Sequence, residues 1–240
     1  GFNIDKIVEG NTEDDHIPEV KETKVKLGDV WELGKHRLMC GDSTKESDVN
    51  KLMNGEKTDL LLTDPPYNVN YSSKNEFLNK LDKGNRNQTP IKNDKINNFK
   101  NFCLSFLNST QLSDYNSFYI FYEGKELDLL ISAIKESGFY YSQALKWVKN
   151  NHVLGRLDYN LKSELILYGW KKHHKFYGEF NTDVLEFNKP NKSDLHPTMK
   201  PVDLIVKLIN NSSKKEMIIY DPFLGSGSTL IACEKTNRIC

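Results

Sequence analysis

Leu60-Leu61-Leu62-Thr63-Asp64-Pro65-Pro66-Tyr67-Asn68 is the stretch that decides how this chain folds. The leucines form a short apolar run of the kind that becomes a buried strand. The prolines end it abruptly, because proline has no N–H to give a ladder. A carboxylate, a stiff diproline and an aromatic ring are thus delivered together at the C-terminal end of a strand. In open α/β sheets that edge is where ligands sit. Far along the chain a second segment repeats the device: Met217-Ile218-Ile219-Tyr220, then Asp221-Pro222-Phe223-Leu224-Gly225-Ser226-Gly227-Ser228. Two strands each end in Asp-Pro, the second opening into a glycine-rich turn. They are expected to face each other across one cleft.

Working outward, the periodicity predicts alternating strands and helices. Residues 1–22 are charged and aperiodic around Asn11-Thr12-Glu13-Asp14-Asp15 and read as a linker, leaving 23–240 as one domain. Val25–Leu33 and His36–Cys40 read as a hairpin around Gly34. Gly41-Asp42-Ser43 is expected to cap a helix from Thr44 to Met53. Thr58–Thr63 is the strand before the diproline. Residues 68–98 are polar and read as a long mobile loop. Further helices are expected over Ile96–Leu112, Glu126–Ser137, Pro201–Asn211 and Ser228–Lys235, and strands over Ser117–Tyr122, Phe139–Val148 and Ser163–Trp170. Residues 171–195 lose periodicity and read as an insertion on the ligand side, a candidate for target recognition. This alternation predicts an α/β layered domain with a largely parallel sheet.

Composition narrows the classes. The chain has 240 residues, 38% hydrophobic and 11% aromatic, which suits a globular domain and excludes global disorder. No apolar run approaches the roughly 20 residues that span a bilayer, so no membrane partner is expected. Gly1–Lys21 has neither a basic n-region nor an apolar h-region, so it is no signal peptide. The four cysteines, Cys40, Cys103, Cys233 and Cys240, show no CxxC spacing. This pattern predicts no metal site and points to a reducing cytoplasm. The net charge is zero, so any footprint for nucleic acid must be local. The scarcity of Arg, four of 33 basic residues, reads as coding bias of an AT-rich genome rather than as function.

The two turns carry the chemistry. Strand, Gly225-x-Gly227, helix is the general recipe for approaching a nucleotide-like ligand with backbone N–H groups. It lacks the Lys of a phosphate-binding P-loop and the third glycine of the dinucleotide fingerprint. An amino group on a nucleobase is a poor nucleophile, because its lone pair is delocalised into the ring. One carboxylate and one backbone carbonyl can hold both its N–H bonds and aim the developing lone pair. Asp64 and the Pro65 carbonyl are such a pair, and Tyr67 offers a face to a base taken out of its helix. The bland alternative is a rigid strand-ending turn with a packed tyrosine.

Together Asp64-Pro65-Pro66-Tyr67 and the later Asp221-Pro222-Phe223-Leu224-Gly225-Ser226-Gly227-Ser228 resemble the amino-group DNA methyltransferases that use S-adenosylmethionine. The catalytic turn precedes the cofactor turn, as in the circularly permuted β group. Gly41-Asp42 and His196-Pro197-Thr198-Met199-Lys200-Pro201 resemble further elements of that family. Trp147-Val148-Lys149, Gly155-Arg156-x-Asp158-Tyr159 and Glu164-x-x-x-Tyr168-Gly169-Trp170 resemble its phage and prophage branch, in which a ParB-like nuclease domain often precedes the methylase.

The resemblance spans about residues 25–240. It implies a permuted Rossmann-like sheet with helices on both faces, S-adenosylmethionine as cofactor and double-stranded DNA as partner. Asp64, Pro65, Pro66 and Tyr67 would be catalytic. Asp221, Pro222, Phe223, Gly225, Ser226, Gly227 and Ser228 would line the cofactor. Thr198 and Lys200 would meet its carboxylate. Asp42 would accept from its adenine amine, although Asp42 reads equally as a helix cap. Arg86, Lys92, Lys95, Lys149, Arg156 and the run from Lys171 and Lys172 to Lys175 are candidates for phosphate contacts. Asp at the head of the Pro-Pro-Tyr turn favours adenine N6, with cytosine N4 as the alternative. The family continues beyond Arg238-Ile239-Cys240 to an acid that holds the cofactor ribose; its absence leaves a catalytically impaired DNA-binding module as a further reading. With no Pro-Cys element, attack on cytosine carbon 5 is excluded.

Overall fold

The computed structural model describes residues 24–68, 79, 96–153, 158–179, 182–188 and 199–240, with backbone only at 151–153. The expected linker (1–22) and almost all of the expected loop (68–98) therefore lie outside the described residues.

The chain opens with β1 (Val30–Leu33) and β2 (His36–Met39), an antiparallel hairpin. Then come α1 (Glu46–Met53), β3 (Thr58–Thr63), α2 (Phe99–Ser109), β4 (Leu112–Tyr122) and α3 (Leu127–Glu136). The remainder is β5 (Tyr140–Val153), β6 (Leu161–Trp170), β7 (Val184–Glu186), α4 (Val202–Ser212), β8 (Ile219–Tyr220) and α5 (Ser228–Lys235). Six strands form one sheet in the order β7-β5-β6-β4-β3-β8. β4, β3 and β8 are parallel neighbours, as are β5 and β7, and β6 runs antiparallel between β5 and β4.

Alternation along the strands builds two cores. Leu60 and Leu62 of β3, with Tyr119 and Phe121 of β4, face α4 and α5. Leu61, Phe118 and Ile120 point the other way, onto α1, α2 and α3. β3 is apolar on both faces because both are covered, as in buried parallel sheets. The prediction of an α/β sheet with helices on both faces is met. No described helix is long and apolar enough to cross a membrane.

Three local readings are corrected. Asp42 does not cap α1: the N-cap is Lys45, with no side-chain cap bond. The Asp42 carboxylate instead folds back onto Thr44, accepting from its N (3.0 Å) and Oγ1 (2.6 Å), so the turn closes before the helix starts. α2 stops at Ser109, and β4 begins at Leu112 rather than Ser117. Polar residues 113–116 hid this half of the strand, which projects past the buried part of the sheet. Lastly, 171–195 is not one insertion on the ligand side. Its first residues lie at the opposite end of the sheet, where Lys171 N donates to Asn116 Oδ1 and Asn116 N to His173 O. Its later part supplies β7, which pairs with residues 146–148 of β5.

Candidate active site

The two Asp-Pro turns meet. β3 and β8 are hydrogen-bonded neighbours, Leu60 opposite Ile219 and Leu61 opposite Tyr220, so Asp64 and Asp221 emerge side by side. Thr63 Oγ1 donates to Asp221 Oδ1 at 2.7 Å, tying the two strand ends together. The other donors to Asp221 are Thr229 Oγ1 (2.7 Å) and Phe223 N (3.1 Å). The Asp221 carboxylate thus acts as an internal knot that fixes the glycine turn against β3. Burial pushes its carboxyl up to about 6, against the pull of those three donors.

The glycine turn needs glycine at two places. Gly225 has φ +55° and Gly227 φ +87°, a region that costs an L-residue roughly 1–2 kcal/mol. Gly227 is the N-cap of α5, and its N bonds Leu224 O at 3.0 Å. A cavity of about 80 Å³ lies between the turns, lined by Thr63, Asp64, Lys200, Asp221, Phe223 and Gly225. A second, of about 110 Å³, is lined by Asp42, Asp48, Tyr220, Pro222 and Cys240. Asp221 and Leu224 border both, so the two cavities adjoin at the turn after β8. The walls are held by the hairpin: Cys240 N donates to His36 Nδ1 (3.0 Å), leaving His36 Nε2 to donate to Glu234 Oε2 (2.8 Å).

Asp64 sits in a cluster of charges. Lys200 Nζ lies 2.5 Å from Asp64 Oδ2 and 2.9 Å from Glu164 Oε1. The single proton of the Tyr67 hydroxyl is shared between Asp64 Oδ1 and Glu164 Oε1, the latter at 2.6 Å. Lys149 Nζ holds Glu164 Oε2 (3.0 Å) and Glu123 Oε2 (2.9 Å). Burial raises the Asp64 carboxyl, with the Glu164 charge adding to it and Lys200 opposing. Burial also acts to raise Glu164, but Lys200, Lys149 and the Tyr67 hydroxyl overcome it and bring the carboxyl to about 2.

The predicted catalytic and glycine-turn residues are thus brought together. Phe223 lines the cavity while packing its ring on Phe102 and Phe106. Lys200 also lines it, but its ammonium is engaged by two carboxylates of the chain rather than waiting for a ligand's. Tyr67 packs edge-on against Tyr122, with its hydroxyl turned inward.

The phosphate candidates fare differently. Lys149 is buried in the charge cluster and cannot reach a duplex backbone. Lys171 donates to Ser137 O, and Lys172 pairs with Asp114. Both lie about 17 Å from the Asp64 edge, the length of the five β4 residues separating the level of Asn116 from that of Phe121. Arg86, Lys92, Lys95, Arg156 and Thr198 lie outside the described residues.

Glu164 was missed by the sequence reading as a member of the site. The signal existed: in β6 it alternates with Ile166 and Tyr168, which face the core, so a carboxylate on that side must be buried and paired. No group of His, Cys, Asp and Glu able to hold a metal occurs among the described residues.

A family model described as DNA methylase matches residues 58–193 and 171–240. The chain is 26% identical over 234 residues to the type II methyltransferase M.HpaI of Haemophilus parainfluenzae, covering 84% of this chain and 68% of that one. It is 28% identical over 203 residues to the putative methylase YubD of Escherichia coli, covering 84% and 81%. Among solved structures it superposes on the M1.HpyAVI–SAM complex with a TM-score of 0.55 at 24% identity, covering 81% of this chain and 88% of that one. On PvuII DNA methyltransferase (cytosine-N4-specific) the TM-score is 0.60 at 16% identity, covering 83% and 78%.

Proposed function

This chain belongs to the DNA methylase family, and from that premise we propose that it transfers a methyl group from S-adenosylmethionine to the exocyclic amine of a DNA base, adenine N6 first. The observation that carries the reading is the shared cavity: Asp64 and the Gly225–Gly227 turn open onto the same space, with their strands joined through Thr63 and Asp221.

The residues present fit the donor. The adjoining cavities have a carboxylate on either side, Asp42 in one and Asp64 in the other. Gly225, with positive φ, brings backbone to the lining without a side chain. Bound there, S-adenosylmethionine supplies an electrophilic methyl carbon on a sulfonium. Asp42 is suited to accept from an adenine amine and the glycine turn to border the ribose and methionine parts. Asp64 and the Pro65 carbonyl accept the two N–H bonds of the target amine, which localises its lone pair and aims it across the cleft. The methyl group would leave its sulfur as it joined the amine, and the proton the amine must then shed would go to Asp64, which holds its N–H. Tyr67, directly after the diproline, would give the extruded base a face to rest against. The order of the turns supports a circularly permuted sheet, and the likeness to type II methyltransferases supports double-stranded DNA as the partner in a restriction–modification setting.

Cytosine N4 carries the same pair of N–H bonds and is the second reading. The experiment is incubation of plasmid DNA with S-adenosylmethionine and the protein, followed by nucleoside mass spectrometry. N6-methyladenine is the expected product. N4-methylcytosine would transfer the assignment to the second reading, and neither product, with donor binding absent by calorimetry, would sink both.

A further inference from the structure

Asp64 is not an idle carboxylate. Tyr67 occupies its Oδ1 and Lys200 its Oδ2. A base amine that arrives in the cleft must share one of those oxygens, so the donor already there is crowded and its bond loosened. Lys200 is buried and the Tyr67 hydroxyl points inward, so neither can turn to bulk water. A buried donor that loses its acceptor is costly unless another stands ready.

Among the described residues one group touches both donors. Glu164 Oε1 is 2.6 Å from the Tyr67 hydroxyl and 2.9 Å from Lys200 Nζ. It comes from β6, beyond β4 in the sheet, and is itself buried. Its other oxygen is pinned by Lys149 at 3.0 Å, and Lys149 is braced in turn by Glu123. The arrangement resembles a two-position latch with its second catch already half engaged.

We propose that Glu164 is a positioning residue, the acceptor that keeps the Tyr67 hydroxyl and the Lys200 ammonium when a target amine takes Asp64. The proposal rests on the methyl-transfer reading above. Lys149 holds Glu164 still while Asp64 changes partners, which is why a second ammonium is needed behind the first. The charged and titratable groups around Asp64 are then Lys200, Glu164 and Tyr67 in contact, Asp221 on the neighbouring strand end, and Lys149 with Glu123 one step behind. Glu164 stays ionised throughout; Asp64 is the member whose protonation changes with substrate.

The test is methyl transfer to duplex DNA by wild type, Glu164→Gln and Glu164→Asp, measured across pH, with donor affinity measured by calorimetry. Glu164→Gln should lower kcat tenfold or more and leave donor Kd within threefold. Loss of a negative neighbour lowers the Asp64 carboxyl, so the acid limb of kcat should move to lower pH. Glu164→Asp keeps the charge and should recover the rate to within threefold of wild type. A Glu164→Gln protein that binds donor normally, turns over within twofold of wild type and keeps its acid limb overturns the proposal. Should that variant not fold, Tyr67→Phe and Glu164→Asp carry the test. In the free enzyme the loss of the hydroxyl donor raises Asp64, so Tyr67→Phe should move the acid limb of kcat/KM to higher pH, while Glu164→Asp leaves it in place. An unmoved limb in Tyr67→Phe overturns the latch. Absence of transfer by wild type itself would instead overturn the parent reading.

Discussion

Asp64 and Asp221 stand one strand apart, both with a carboxyl raised by burial, and yet they do different work. Asp64 faces the cleft with partners that can be exchanged. Asp221 is closed by three donors from its own chain. Asp64→Ala should therefore reduce methyl transfer by roughly 10²–10⁴-fold, the usual worth of a positioned acid–base group. Donor affinity by calorimetry should stay nearly unchanged, since on the proposed reading Asp64 acts on the amine. Asp221 shows instead in stability. Its folded carboxyl titrates near 6 against an ordinary 3.8, so the native state binds the extra proton between those values. This group's contribution is thus present at low pH and lost as pH rises from about 4 through 6. Denaturant midpoints across that window should show the decline, and Asp221→Asn should flatten it. Both aspartates were legible because each is announced by local turn chemistry. Glu164 was not, because its partners Asp64, Lys149 and Lys200 come from three separate segments.

The elements were legible wherever one face or both had to be buried. β3 and α5 coincide with their expected bounds, and the hairpin turns at Gly34 as expected. The strand order was not, because nothing local records that β6 inserts antiparallel between β4 and β5. That order governs the site: it brings Glu164 beside Tyr67 and Lys200, and it sends Lys171 and Lys172 to the far edge. The start of α5 gives a test at this scale. A Cβ at Gly227 would touch nothing within 4 Å, so Gly227→Ala costs conformation rather than a clash. A loss of about 1–2 kcal/mol is expected in denaturant unfolding, because φ +87° disfavours an L-residue. Weaker donor binding by calorimetry should accompany it as the turn relaxes.

For the whole molecule, the hairpin matters more than its size suggests. Through His36 it joins the amino-terminal part of the domain to Cys240 and to Glu234 of α5, and through Arg37 N to Cys240 O at 2.9 Å. His36→Phe leaves the half-buried Cys240 N–H without its acceptor, while the exposed Glu234 carboxylate turns to water, so thermal unfolding should report a loss of about 1 kcal/mol. Donor affinity should fall with it, since Asp42 and Cys240 wall the same cavity. The pairing of β3 with β8 has a consequence for the protein as it is made. At translation speeds of about 5–20 residues per second, roughly ten to thirty seconds separate the emergence of Asp64 from that of Asp221. A ribosome-bound chain therefore displays the diproline motif well before it owns a seat for the donor. On the proposed reading, methyl transfer cannot begin until both turns have left the ribosome.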